Sequence, residues 1–171
     1  MSDNDQQAQF ERLAMPHLDA AYNLARWLAG NDHDAEDIAQ EACVRAFRFV
    51  GGCRGSDGRA WLLTIVRNTA YSWLKKNRSQ RLVFIDDDEC PEIEEQKDAA
   101  SSFHSADTDA LRAALETLPL EFREALVLRE LEGLSYKEIA EVAEVPLGTV
   151  MSRLARARRQ LQGAFHRKGD V

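Results

Sequence analysis

Two sets of side chains carry what chemistry this sequence can do, and in both it is non-covalent. In the first, Thr64, Arg67, Asn68, Tyr71, Lys75 and Lys76 fall on one side of a helical stretch. Cations and amides interleaved with an aromatic ring suit single-stranded or melted DNA, offering charge to the phosphates and a flat face to an unstacked base. In the second, at about 100° per residue, Ser152, Ala155, Arg156 and Arg159 lie opposite Val150, Leu154, Ala157 and Leu161. One side packs and the other can enter a major groove. Each set also has a plainer reading: a solvated charged face for the first, a basic helix of an α-bundle for the second. Catalysis has no comparable support. There is no nucleophile with its base, no glycine-rich phosphate loop and no metal cluster, and His17, His33, His104 and His166 are scattered. No cofactor, metal or small-molecule substrate is therefore expected.

The net charge of -7 argues against a nucleic-acid partner if taken as an average. Its distribution argues the opposite. Up to Glu41, nine acidic residues oppose only Arg12 and Arg26. From Ala42 to Ile85, Asp57 is the one acid against nine bases, including Arg45, Arg48, Arg54 and Arg59, a net +8. Ten acids then oppose Lys97 between Asp86 and Asp109, and Val145 to Gly169 carries six bases with no acid. Two basic blocks separated by an acidic connector read as two nucleic-acid surfaces.

The elements that must position these side chains read as helices on either side of that connector. Asp86 to Ser102 is nearly devoid of apolar residues and contains a proline, so burial cannot offset its ordering entropy. The expected organisation is all-α: two small helical domains, 1–81 and 107–171, joined by an acidic flexible linker over 82–106. In the first, Asp34 is a candidate N-cap with Glu36 and Asp37 in the first turn. Ala35, Ile38, Ala39, Ala42, Ala46, Phe49 and Val50 then form an apolar stripe, with Asp37, Gln40, Glu41, Val44, Arg45 and Arg48 opposite. After the glycine-rich break at Gly51, Ser56 or Asp57 can cap a helix to about Lys76 that buries Leu62, Ile65, Val66, Thr69 and Trp73. In the second domain, Ser135 and Glu138 have capping-box spacing, and Pro146 suits the first turn of a following helix. Helix, tight turn and basic helix make a helix-turn-helix.

Cys43, Cys53 and Cys90 are odd in number and lack C-x-x-C spacing, and read as reduced thiols, with a redox pair of Cys43 and Cys53 as the alternative. No apolar run approaches the ~18 residues of a membrane span, and the N-terminal residues are polar and acidic. A cytoplasmic chain is the expectation.

At this point the residues resemble a known family. LSYKEIAEVAEVPLGTVMSRLARARRQL is similar to the region 4 helix-turn-helix of extracytoplasmic-function (ECF) sigma factors. DAEDIAQEACVRAF followed by RAWLLTIVRNTAYSWLKKN is similar to their region 2, and the likeness covers roughly residues 10 to 165. It implies a non-enzymatic subunit that binds core RNA polymerase, through the clamp helices of the largest subunit and the flap, and directs it to promoter DNA. By that resemblance Asp37, Gln40, Glu41 and Arg45 grip the clamp helices. Arg54, Ser56, Asp57, Arg59, Trp61, Thr64, Arg67, Asn68, Tyr71, Lys75 and Lys76 match the surface that opens the minus-ten element and captures a flipped base. Thr149, Met151, Ser152, Arg153, Ala155, Arg156 and Arg159 match the reader of the minus-thirty-five element. The resemblance also implies control by an anti-sigma factor, for which a membrane anchor is compatible with the family.

The chain departs from the family at Glu144, a turn position usually held by glycine, at Met151, where many members carry Lys or Arg, and at Ala155, where some carry a larger side chain. The promoter sequence is thus not transferable. Two other classes stay open: a stand-alone helix-turn-helix regulator of duplex operators, and a sigma mimic that sequesters an anti-sigma factor. The first needs a dimer interface or sensor domain and the second an eroded DNA face.

Overall fold

The computed structural model describes residues 2–53, 57–84 and 106–169, with side chains described over 2–53, 57–77 and 109–165. Among these residues there are eight α-helices and no strand, in accord with the all-α expectation. They are α1 (Asp3–Leu13), α2 (Leu18–Ala29), α3 (Asp32–Phe49), α4 (Gly58–Phe84), α5 (Ala106–Glu116), α6 (Leu120–Leu126), α7 (Tyr136–Ala143) and α8 (Leu147–Gly169). A π-helical turn, Val127–Leu131, continues α6. Most of the segment expected to be a linker, and Cys90 within it, lies outside the described residues.

Helices α2, α3 and α4 pack on one another around Leu24, Leu28, Ile38, Leu62, Leu63 and Val66, all fully buried. The α3 stripe holds for Ala35, Ile38, Ala42, Ala46 and Val50, which bury completely. Phe49 departs from it and is 65% exposed. It is the last residue of α3, and Val50 takes the buried place as the chain tightens into a 3₁₀ turn. The start of α3 also differs from expectation. Asn31, not Asp34, is the N-cap, its Oδ1 accepting the Asp34 N–H at 2.8 Å. Both residues are good caps, and the apolar stripe beginning at Ala35 drew the expected boundary inward.

Helix α4 begins where a glycine allows close contact. A Cβ added to Gly58 would lie 2.0 Å from the Leu13 carbonyl oxygen, so the end of α1 and the start of α4 approach more closely than any side chain permits. Asp57 supplies the cap, its Oδ1 accepting from the N–H of Arg59 at 3.1 Å and of Ala60 at 3.3 Å. Ser56, the other candidate, lies outside the described residues. The helix runs past Lys76 to Phe84, because no Gly or Pro interrupts it there.

The C-terminal helices close over Leu128, Leu134, Ile139, Val142, Val150, Leu154 and Ala157. The capping box forms in both directions, with the Ser135 hydroxyl accepting from the Glu138 N–H and the Glu138 carboxylate from the Ser135 N–H, each at 3.1 Å. Glu144 ends α7 in the left-handed region, φ 56° and ψ 47°. Helix α8 starts at Leu147, one residue later than a proline in the first turn would give. The Pro146 carbonyl accepts from Thr149 and Val150, which puts proline at the cap.

The two halves are in contact. Helix α4 lies against α7 and α2 against α6, and the buried side chains of both form one cluster. Cys43 and Cys53 are free, half-buried thiols. Burial pushes both above the usual thiol range, for Cys53 with help from Asp57. That favours the inert protonated form.

Candidate nucleic-acid interface

The inner side of α4 is fixed by Leu62, Leu63, Val66, Thr69 and Ala70, so its other side faces away from the α2–α3 pair. Trp61, Thr64, Arg67, Asn68 and Tyr71 are half-buried there, and Lys75 and Lys76 are exposed. The spacing has brought the expected set to one side of one helix. Arg54 and Ser56 lie outside the described residues.

Much of that side is already engaged, by the C-terminal half. Arg67 Nε donates to Glu124 Oε1 at 2.8 Å, and the Tyr71 hydroxyl donates to Glu124 Oε2 at 2.7 Å. The Arg67 guanidinium carbon stands 3.9 Å from the centre of the Tyr71 ring, and its Nη1 donates to Asn68 Oδ1 at 3.3 Å. Glu124 is 1% exposed, and each carboxylate oxygen has one donor. Arg59 donates to the Glu132 carbonyl at 3.1 Å and lies 3.7 Å from the Glu138 carboxylate.

The electrostatics of the cluster are mutually consistent. Burial acts against the Arg67 charge, but the Glu124 carboxylate and, after it, Tyr71 together outweigh burial and hold the guanidinium above its ordinary value. Burial, then the same carboxylate, pushes the Tyr71 phenol well above 10.0, so the ring keeps the proton it donates.

Glu124 and Arg123 were not singled out from the sequence. Helical spacing puts Glu124 on one side with Leu120, Val127 and Leu128, and a carboxylate on an apolar side was the available signal. Arg123 donates to the carbonyls of Leu115, Glu116 and Leu118 and, at 3.1 Å, to that of Trp27 on α2. It thereby satisfies acceptors left open at the end of α5 and ties α6 to α2. Burial lowers its pKa from the ordinary value.

On α8, Val150, Leu154 and Ala157 are buried while Met151, Ser152, Ala155, Arg156 and Arg159 are exposed; Thr149 and Arg153 are half-buried. The division into a packing side and a free side holds. Ser152 turns its hydroxyl to the Gly148 carbonyl at 3.0 Å, and Arg158 is paired with Glu130 at 3.0 Å. The exposed side therefore presents the guanidinium groups of Arg156 and Arg159 beside the apolar Met151 and Ala155. On α3, Gln40, Val44 and Arg48 are exposed and Asp37, Glu41 and Arg45 are half-buried, with Glu41 and Arg45 paired at 2.6 Å.

Comparison with known proteins covers both halves. Residues 13–80 match the Sigma-70 region 2 family and residues 108–161 the Sigma-70, region 4 family. The chain is 38% identical over 154 residues to the ECF RNA polymerase sigma factor SigE of Mycolicibacterium smegmatis, which covers 90% of this chain but only 60% of that relative. It is 34% identical to the ECF RNA polymerase sigma-E factor of Haemophilus influenzae, covering 81% of this chain and 77% of the other. Among solved structures, the sigma factor RpoE of Bartonella quintana, crystallised with the anti-sigma factor NepR, superimposes with a TM-score of 0.76 at 30% identity. The superposition covers 92% of this chain and 96% of that one.

Proposed function

Because the chain belongs to the ECF RNA polymerase sigma factors, we propose that it binds core RNA polymerase and directs it to promoter DNA, doing no covalent chemistry itself. The observation that carries this is the combination of three surfaces in one chain. The polar side of α3 offers acids and an exposed Val44 to the polymerase; α4 offers cations and an aromatic ring to melted DNA; α8 offers two arginines to a major groove. A stand-alone operator binder has use for the last of these but not for the first two.

In this reading residues 1–81 form the domain that binds core and opens the minus-ten element, 82–106 the acidic connector, and 107–171 the domain that reads the minus-thirty-five element. Asp37, Gln40, Glu41 and Arg45 meet the clamp helices of the largest subunit, and the second domain meets the flap. Capturing a flipped base requires a few kcal/mol of unstacking, which contacts to the extruded base from the α4 surface must offset. An anti-sigma factor is the natural regulator, as for the Bartonella relative captured with NepR. The working compartment is the cytoplasm.

The deciding experiment adds the purified chain to core polymerase and scores initiation from a promoter library. Polymerase-dependent initiation is the expected result; tight operator binding without polymerase, and no initiation, would sink the reading. Charge reversal at Asp37 and Glu41 should abolish core binding, and undiminished core affinity would refute that assignment.

A further inference from the structure

The exposed side of α8 is divided along its length. Leu147, Met151 and Ala155 follow one another at four-residue intervals and so form one line, exposed throughout, Leu147 by 49% and Met151 by 53%. Gly148, Ser152, Arg156 and Arg159 form a second exposed line beside it. The Ser152 hydroxyl is turned back to the Gly148 carbonyl at 3.0 Å, and Gly148 itself carries no side chain. A Cβ at Gly148 would meet nothing within 4 Å, so packing inside the chain does not call for glycine there. A partner that approaches the start of α8 closely does. Arg158 is paired with Glu130, whereas among the described residues no acid is paired with Arg156 or Arg159, and Val145 to Gly169 contains no acid. An apolar line flanked by open guanidinium groups fits a polyanion that also displays methyl groups. The major groove is such a surface, since every thymine places its C5-methyl group there.

We propose that Met151 and Ala155 together seat the methyl group of one thymine in the minus-thirty-five duplex, which makes Met151 a specificity-determining residue of this chain. The proposal rests on the sigma-factor reading for the promoter and deepens it by naming the group that α8 reads. Side chains on a helix lean toward its N-terminus, so a long residue at 155 would cover the turn between 151 and 155. Ala155 leaves that turn open, and Met151 forms its wall. Cβ atoms four residues apart on a helix are about 5–6 Å apart, room for one methyl group between them. Neither side chain has a donor for N7 or O6 of a purine, and a thioether is only a weak acceptor for the cytosine amine. Both have apolar surface, which gains by covering a methyl group and loses by facing a polar base edge. Ala155 is short, so the seat works only if the helix lies deep in the groove, and the bare Gly148 at its start permits that. Arg156 and Arg159, on the adjoining line, then meet phosphate or guanine.

The test uses holoenzyme, formed from the full chain and core polymerase, on a promoter recovered from the library. Thymines of the minus-thirty-five duplex, on both strands, are replaced one at a time by uracil, which removes the methyl group alone. At one position uracil should weaken promoter binding about fourfold, the effect of returning one methyl group to water. Met151→Ala alters an exposed side chain, so the fold is kept, and it should bring the thymine-to-uracil affinity ratio at that position to about one. A loss on Met151→Ala that is equal for the thymine and uracil promoters would overturn the proposal. So would a dimer of the free chain that Met151→Ala abolishes while promoter binding is unchanged, since the apolar line would then belong to a second copy. Initiation tests the underlying reading separately. If holoenzyme initiates normally and no thymine of the element is sensitive to uracil, the methyl seat falls and the sigma reading stands. If core polymerase gives no initiation, but the chain alone binds a duplex operator with a uracil sensitivity that Met151→Ala removes, the sigma reading falls and the methyl seat stands.

Discussion

Glu144 turns the chain between α7 and α8 with φ 56°, where the Cβ of an L-residue crowds the following carbonyl. Its side chain is exposed, so little contact is lost by removing it. Glu144→Gly should therefore stabilise the protein by about 0.5–1 kcal/mol, the relief of strain partly offset by a freer unfolded chain. A urea midpoint equal to or below the parent's would contradict this. Gly58 has the opposite sensitivity. The obstacle to a Cβ there is the Leu13 backbone, which cannot swing aside like a side-chain tip. Gly58→Ala should cost about 1–3 kcal/mol in the same denaturation assay, as overpacking does in cores. Features of this local kind were legible in the sequence. The Ser135–Glu138 box, and a cap at Ser56 or Asp57 of which the structure shows Asp57, are set by neighbours a few residues apart. The Arg67–Glu124 pair was not legible, because its partners stand 57 residues apart and helical periodicity carries no information about which helix lies opposite.

At the scale of elements, α8 shows how far periodicity reaches. The buried Val150, Leu154 and Ala157 and the exposed Ser152, Arg156 and Arg159 divide as a 3.6-residue repeat requires. What the repeat does not reveal is which cations are already paired. Arg158 stands in the same basic run but is tied to Glu130. For holoenzyme bound to duplex promoter DNA, Arg156→Ala and Arg159→Ala should each lower the slope of log affinity against log salt by about 1. Arg158→Ala should lower it by less, and equal slopes for all three variants would place Arg158 on the phosphates too. Element ends were harder to read than element faces. Helix α3 begins before its expected cap and leaves Phe49 outside its core, and α4 outruns Lys76. The apolar stripe fixes which side packs, whereas the first and last residues depend on the elements that happen to cover them.

For the molecule as a whole, charge alternation forecast two basic surfaces but not that one would be closed by the other half. The closed arrangement has a pH dependence of definite sign. Tyr71 binds its proton more tightly in the folded chain than its ordinary value of 10.0, because of burial and then Glu124. Its contribution to stability is therefore fully present below that ordinary value and is lost as pH rises through the raised one. Urea stability should fall as pH rises above about pH 10 more steeply for the parent than for Tyr71→Phe, which has no proton to lose there. Identical slopes would show that the phenol does not report on folding. The Glu124 contact also bears on where the free protein resides in a cell. A chromosome offers on the order of a million or more non-specific sites, and their pull on a protein grows with every cation left unpaired. With Arg67 on a carboxylate of its own chain, one cation fewer is open to this reservoir of decoys, and the hold that remains falls to the exposed Arg156 and Arg159 of α8.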